Sequence, residues 1–249
     1  MLSFLRSRTN RLKERPFPDA WQVILEHNVA LYSRLSMEDR EELRGHVQVF
    51  LAEKSFEGCN GLEMNDEIRV TIAGQACLLL LHRQGGCFPA VSSIVIYPDE
   101  YLAPWQDTDE SGIVVEGEDC RSGEYVADGA LVLSWRDVLM AGGDDQGAYN
   151  VIIHEFAHQI DDECGISAGR GDGELHRSLE RGYRRLQHAA AHRRPSLFDP
   201  YGAGSMAEFF AVTAECFFET PRPFLRQHPE LYAAMGRFFR QDPAAWPGW

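Results

Sequence analysis

The sequence predicts an α+β domain with a small mixed sheet and a helical C-terminal half. Two short β-rich runs, Val91 to Tyr97 and Leu131 to Trp135, are each bounded by turn residues, as half-buried strands are. Segments of helical period crowd the chain after residue 150. Strands first and helices afterwards fit segregated layers better than alternating βαβ units. No internal repeat, low-complexity tract or long linker divides the 249 residues, so residues 16–249 are read as one domain behind a flexible basic tail, 1–15.

In that tail Arg6, Arg8, Arg11, Lys13 and Arg15 lack the apolar stretch of a signal peptide, and a solvated segment is the reading preferred over a membrane-surface contact. A first helix begins at Ser36, where Ser36 and Asp39 resemble a capping box ahead of the stripe Leu43, Val47, Phe50, Leu51. The run Ile68 to Leu81 is apolar without a clear period. Asp107 to Gly112 has the polarity of a loop or a strand-edge excursion. Asp144 or Asp145 can cap a helix through Val151, Ile152, Ile153, Phe156, Ala157 and Ile160, stopped near Gly165. Leu175, Leu179, Tyr183 and Leu186 mark the next helix, another starts after Ser205, and Pro229 opens a fourth.

Composition narrows the function. Lys and Arg number 24 against 38 Asp and Glu, a net charge of −14, which argues against a nucleic-acid partner because such binding neutralises phosphates with cations. No segment approaches the roughly 18–20 apolar residues of a membrane-spanning helix. Six scattered cysteines with no CxxC pair fit reduced thiols in a cytoplasm and give no support to a cysteine-dependent redox enzyme. Cys77, His82 and Cys87 lack the spacing of a structural zinc site.

The chemistry concentrates in His154-Glu155-Phe156-Ala157-His158. Two imidazoles four residues apart sit side by side on a helix, where they can hold one Zn²⁺ while the adjacent Glu155 addresses a water. The alternative is a solvated polar face, but the flanking Val151, Ile152, Ile153, Phe156 and Ile160 argue for a buried helix, where unpaired His and Glu cost several kcal/mol. A catalytic zinc needs a third protein ligand. Glu208, Glu215, Glu219, His176, His188 and His192 are the candidates. Glu208 and Glu215 stand out because seven residues place them on one helix face. Glu208 also fits a capping box with Ser205, and spacing alone does not separate Glu208 from Glu215. Asp161 lies on the ligand face, where it either orients an imidazole or terminates the helix.

HEFAHQID, together with IVIYP, LVLSW and DPYGAGSMAEFFAV, resembles the Mlc titration factor A family of bacterial zinc-dependent peptidases, from about Trp21 to beyond Phe218. More distantly, HEFAHQIDD followed by YG-x₅-EFFA is similar to the catalytic domain of anthrax lethal factor. The resemblance implies a zincin-like metallopeptidase domain with His154, His158 and Glu208 as zinc ligands, Glu155 as general base and Tyr201 as an auxiliary phenol. It favours Glu208 over Glu215 as ligand; Asp162 and Glu215 stay weaker candidates than Asp161 for orienting a ligand from behind. It also implies a peptide or protein substrate and a transcriptional repressor of sugar uptake as a second partner. The competing class is therefore a binding protein that sequesters such a regulator, with a structural or weakly active metal site. Nothing in the sequence distinguishes an aminopeptidase from an endopeptidase.

Overall fold

The computed structural model describes residues 9–83, 85–108, 114–121, 123–126, 129–141 and 148–248. Arg6 and Arg8, the candidate caps Asp144 and Asp145, residues 109–112 of the polar stretch, and Trp249 lie outside them.

Residues 9–13 are helical (α1), and Leu12 packs against the core. Gln48 donates to the carbonyls of Arg15 and Pro16, tying the end of this basic segment to the domain. Helix α2 (Asp19–Asn28) and α3 (Met37–Glu53) follow. The Ser36 hydroxyl caps α3 by accepting from the Asp39 amide, and Leu43, Val47, Phe50 and Leu51 are all buried as their spacing predicts. After strand β1 (Ser55–Gly58), the ambiguous apolar run becomes helix α4 (Asp66–Leu78), capped by Asn65. Every α4 residue from Val70 to Leu78 is buried. A helix enclosed on all sides has no polar face to set a period, which is why the pattern was unreadable.

Strands β2 (Ser93–Tyr97), β5 (Gly123–Val126) and β6 (Ala130–Ser134) complete a four-stranded sheet with β1, in the order β1-β2-β6-β5. The β1–β2 and β2–β6 pairs are parallel and β5–β6 is antiparallel, so the sheet is small and mixed. Ile94 opposes Leu131 and Ile96 opposes Leu133, all four buried. Two expectations change here. Trp135 opens helix α5 (Trp135–Met140), because Ser134 caps it by accepting from the Asp137 amide and so ends the strand. The elements are also not segregated, since β1, α4 and β2 form a parallel crossover unit. Between β2 and β5, strands β3 (Tyr101–Thr108) and β4 (Val114–Arg121) pair antiparallel, and Asp107 and Thr108 of the polar stretch form the end of β3.

The C-terminal half is helical, as the sequence indicates: α6 (Val151–Cys164), α7 (Gly173–Ala191), α8 (Met206–Glu219), α9 (Pro221–Gln227) and α10 (Pro229–Phe239). Gly165 ends α6 with φ 65°, a left-handed conformation that glycine adopts without a Cβ penalty. Phenylalanines fix the two helices that matter most. Phe156 of α6 lies 4.5 Å from Phe88 and 5.6 Å from Phe50 between ring centroids, and Phe209 of α8 meets Phe198 edge to face at 5.3 Å. Each such ring contributes about 1.5–3 kcal/mol by leaving water, so α6 and α8 are each anchored in the core. No helix of the described residues is long and apolar enough to cross a membrane.

One ion-pair cluster joins α3 to the turn after α4. His82 faces Asp39 through Nε2 (3.0 Å) and Glu42 through Nδ1 (3.2 Å), its backbone N–H donates to Glu42, and His46 contacts the same carboxylate. The hydrogen bond with His46 leads the effects that lower Glu42 from 4.5 to about 2, against a burial penalty. A carboxylate depressed on folding stabilises above its unfolded pKa and loses that contribution as pH falls through the folded value. Glu42→Gln should therefore be less stable than the wild type at pH 6, by roughly 0.2–1 kcal/mol for this partly exposed group. Urea unfolding across pH should show the gap closing between about 4.5 and 2; a constant gap would count against it.

Candidate metal centre

The centre is assembled from two helices that meet face to face. On α6, His154 and His158 stand one turn apart, and their Nε2 atoms approach to 3.2 Å. On α8, Glu208 sends Oε2 to within 3.0 Å of His154 Nε2 and 3.4 Å of His158 Nε2. These three side chains form one of two groups of potential ligands among the described residues whose donor atoms all lie within 4.8 Å of one another. The second is Asp39, Glu42 and His82, where a single imidazole already bridges both carboxylates.

The rivalry between Glu208 and Glu215 resolves into a division of labour. Seven residues do place both on one face of α8, and both reach the same ring: Glu208 at Nε2 of His154 and Glu215 at Nδ1, 2.7 Å away. Glu215 is buried and also accepts from the Asn150 backbone N–H at 2.7 Å. With the Nδ1–H donated to Glu215, the neutral ring presents a lone pair at Nε2. Once the Nε2 proton shared with Glu208 is given up, that lone pair, the Nε2 of His158 and the Glu208 oxygen converge on one point. Two imidazoles and a carboxylate in that arrangement suit a divalent cation of zinc type.

The electrostatics show the same demand for positive charge. Burial by itself depresses the His154 imidazolium, but hydrogen bonds to Glu208 and Glu215, with the charges of Glu215 and Glu155, push the ring up to about 10. Burial also works against an ionised Glu208, yet the two histidines hold it at about 2. Burial raises the Glu215 carboxyl above its usual range, with the His154 and Asn150 donors opposing. A further carboxyl, Glu219, accepts from the Asn150 side chain at 2.6 Å and is raised to about 7, chiefly by burial.

Glu155 follows His154 on α6 and is buried at 8% exposure, its carboxyl beside Gly123 of β5. Tyr201 sits on a 3-10 turn, Pro200–Ala203, directly before α8, and its ring centroid is 6.0 Å from that of His154. It is 64% exposed, and Asp199 fixes its backbone by accepting from the Tyr201 N–H. Ser205 caps α8 through the Glu208 amide as the capping-box reading requires, while the Glu208 carboxylate turns to the imidazoles.

Asp161 goes the other way from its proposed orienting role. Its carboxylate accepts from the Ser167 amide at 2.7 Å, so it closes the loop after α6. The other candidate ligands also point elsewhere: His176 bonds to the Ile166 carbonyl, and His188 and His192 stack on each other at 4.2 Å. Asn150 escaped the sequence reading, although an Asn directly before an apolar helical run is a strong cap signal. It caps α6 through Ile153, where Asp144 or Asp145 had been expected, and holds both Glu215 and Glu219.

Comparison with known proteins points to a metallopeptidase family. The sequence profile of a family described as glucose-regulated metallo-peptidase M90 matches residues 4–240. The chain is 36% identical over 245 residues to the uncharacterized protein slr2042 of Synechocystis, covering 95% of this chain and 89% of that protein. It is 28% identical to Mlc titration factor A of Serratia proteamaculans and 29% identical to the protein of that name from Escherichia coli. Those alignments cover 90% of this chain in each case, and 88% and 86% of the two relatives.

Proposed function

The chain belongs to the glucose-regulated metallopeptidase M90 family, and we propose that it is a zincin-like, zinc-dependent peptidase that hydrolyses peptide bonds with water, using His154, His158 and Glu208 as ligands and Glu155 as general base. The observation that carries this reading is the convergence of three donor atoms from α6 and α8 with a buried carboxyl on the same helix. When bound, the ion supplies Lewis acidity, lowering the pKa of water toward about 7 and polarising a carbonyl oxygen.

The chain's own residues do the rest. Glu215 keeps the His154 proton on Nδ1, and Asn150 keeps Glu215 in place. The Glu155 carboxylate accepts a proton from the attacking water as the new C–O bond forms. It then returns that proton to the amine nitrogen as the C–N bond breaks. The Tyr201 hydroxyl donates to the oxygen that gathers negative charge. Strand β5 is the edge of the sheet beside α6, which suits an extended peptide lying along it. The free thiols Cys59, Cys77, Cys87, Cys164 and Cys216 accord with a reducing, cytoplasmic setting.

Metal analysis of purified protein, together with cleavage of a mixed peptide library, tests the proposal. One zinc per chain and metal-dependent cleavage are expected; a chain that binds no divalent ion at these residues overturns it. Loading should also depend on pH in one direction. A proton at His154 Nε2 competes with the ion and the raised pKa strengthens that competitor, whereas Glu208 stays ionised down to about 2. Apparent zinc affinity in a buffered series should therefore weaken progressively as pH drops below about 10, and a flat profile into the acid range would contradict the imidazole ligation.

A second reading rests on the relatives named Mlc titration factor A. On it the chain also binds a transcriptional repressor of that kind, independently of hydrolysis. Capture of such a repressor by the Glu155→Gln protein as efficiently as by the wild type is the expected result, and no capture by either rejects this reading.

A further inference from the structure

We infer that Gly123 is a positioning residue for the general base: its missing side chain creates the space in which the Glu155 carboxyl is held. This rests on the peptidase reading above. The register of the sheet makes the case. Gly123 stands opposite Leu133 in the antiparallel β5–β6 pair, and directly opposed residues face the same side. Leu133 is fully buried, so a side chain at position 123 would also project from the covered face. There it would meet α6. A Cβ placed on Gly123 comes within 2.8 Å of Glu155 Oε1, 2.9 Å of Glu155 Cγ and 2.8 Å of Val151 Cγ2.

Separations that short between unbonded atoms do not persist, so something must shift. Val151 is buried, and α6 is anchored by Phe156 and capped by Asn150. The end of the Glu155 side chain is the part with most freedom to move. A side chain at 123 therefore displaces the carboxyl from the position it now holds, and glycine leaves it in place against the strand. The backbone of Gly123 needs no unusual conformation for this; the close approach alone selects the residue.

The test is Gly123→Ala. Zinc content should stay near wild type, the melting temperature should fall because the contact with Val151 must also open, KM should change little, and kcat should fall about 10- to 100-fold, the cost of misplacing a reacting group by about 1 Å. A crystal structure of the variant should show the Glu155 carboxyl displaced by more than about 0.5 Å. If the single variant does not fold, Gly123→Ala/Val151→Ala removes the hydrocarbon clash and leaves only the contact with Glu155. An unmoved Glu155 in the crystal, or wild-type kcat, overturns the inference. If the wild type cleaves no peptide, the peptidase reading fails, and the crystal comparison still decides whether Gly123 positions Glu155.

Discussion

Glu155→Gln should leave the chain folded and fully loaded with zinc while lowering kcat for a peptide substrate by about 10²–10⁴-fold, the usual contribution of a general base. The substitution is nearly isosteric, so the packing of the Glu155 side chain beside Gly123 and Val151 persists. Glutamine cannot accept a proton from water at neutral pH, and it cannot return one to the departing amine. Metal content and KM are the controls, because neither depends on proton transfer. Loss of turnover together with loss of zinc would point to a ligand role for Glu155, and full residual turnover would end its assignment as base.

The second large effect separates two carboxylates on one helix face. Glu208→Ala removes one of three converging donor atoms, and the variant should fail to retain zinc at concentrations that saturate the wild type. Glu215→Ala leaves those three in place but takes the acceptor from His154 Nδ1 and from the Asn150 backbone N–H. Zinc affinity should then weaken about 10- to 100-fold, as for other partners that orient a metal-bound imidazole. Stability should fall as well, by about 1–3 kcal/mol for each buried donor left unpaired. Zinc titration and thermal unfolding measured in parallel read the two effects. Equal metal affinities for the two variants would remove the distinction between ligand and orienting carboxylate.

These contrasts mark how far the sequence could be read. The α6 pair was legible because residues four apart share a helix face whatever surrounds them, and the seven-residue interval put Glu208 and Glu215 together for the same reason. The Gly165 stop, the Ser205 cap and the Pro229 start were legible as local backbone chemistry, and each appears in the structure. The helical state of Ile68 to Leu78 was not, because complete burial erases the polar stripe that reports a period. The short strands β1 and β5 gave little signal, since four residues hold barely two turns of an alternating pattern.

The amino-acid order thus determined by itself which side chains could act together within one element: two imidazoles and a carboxyl on α6, two carboxylates on α8. Only the tertiary structure decided how the elements share the work. The packing of α6 on α8 gives Glu208 and Glu215 opposite nitrogens of one ring, and that of β5 on α6 lays Gly123 against Glu155. Spacing along a helix is set by the backbone alone, whereas contacts between α6, α8 and β5 depend on how buried surfaces far apart in sequence fit together.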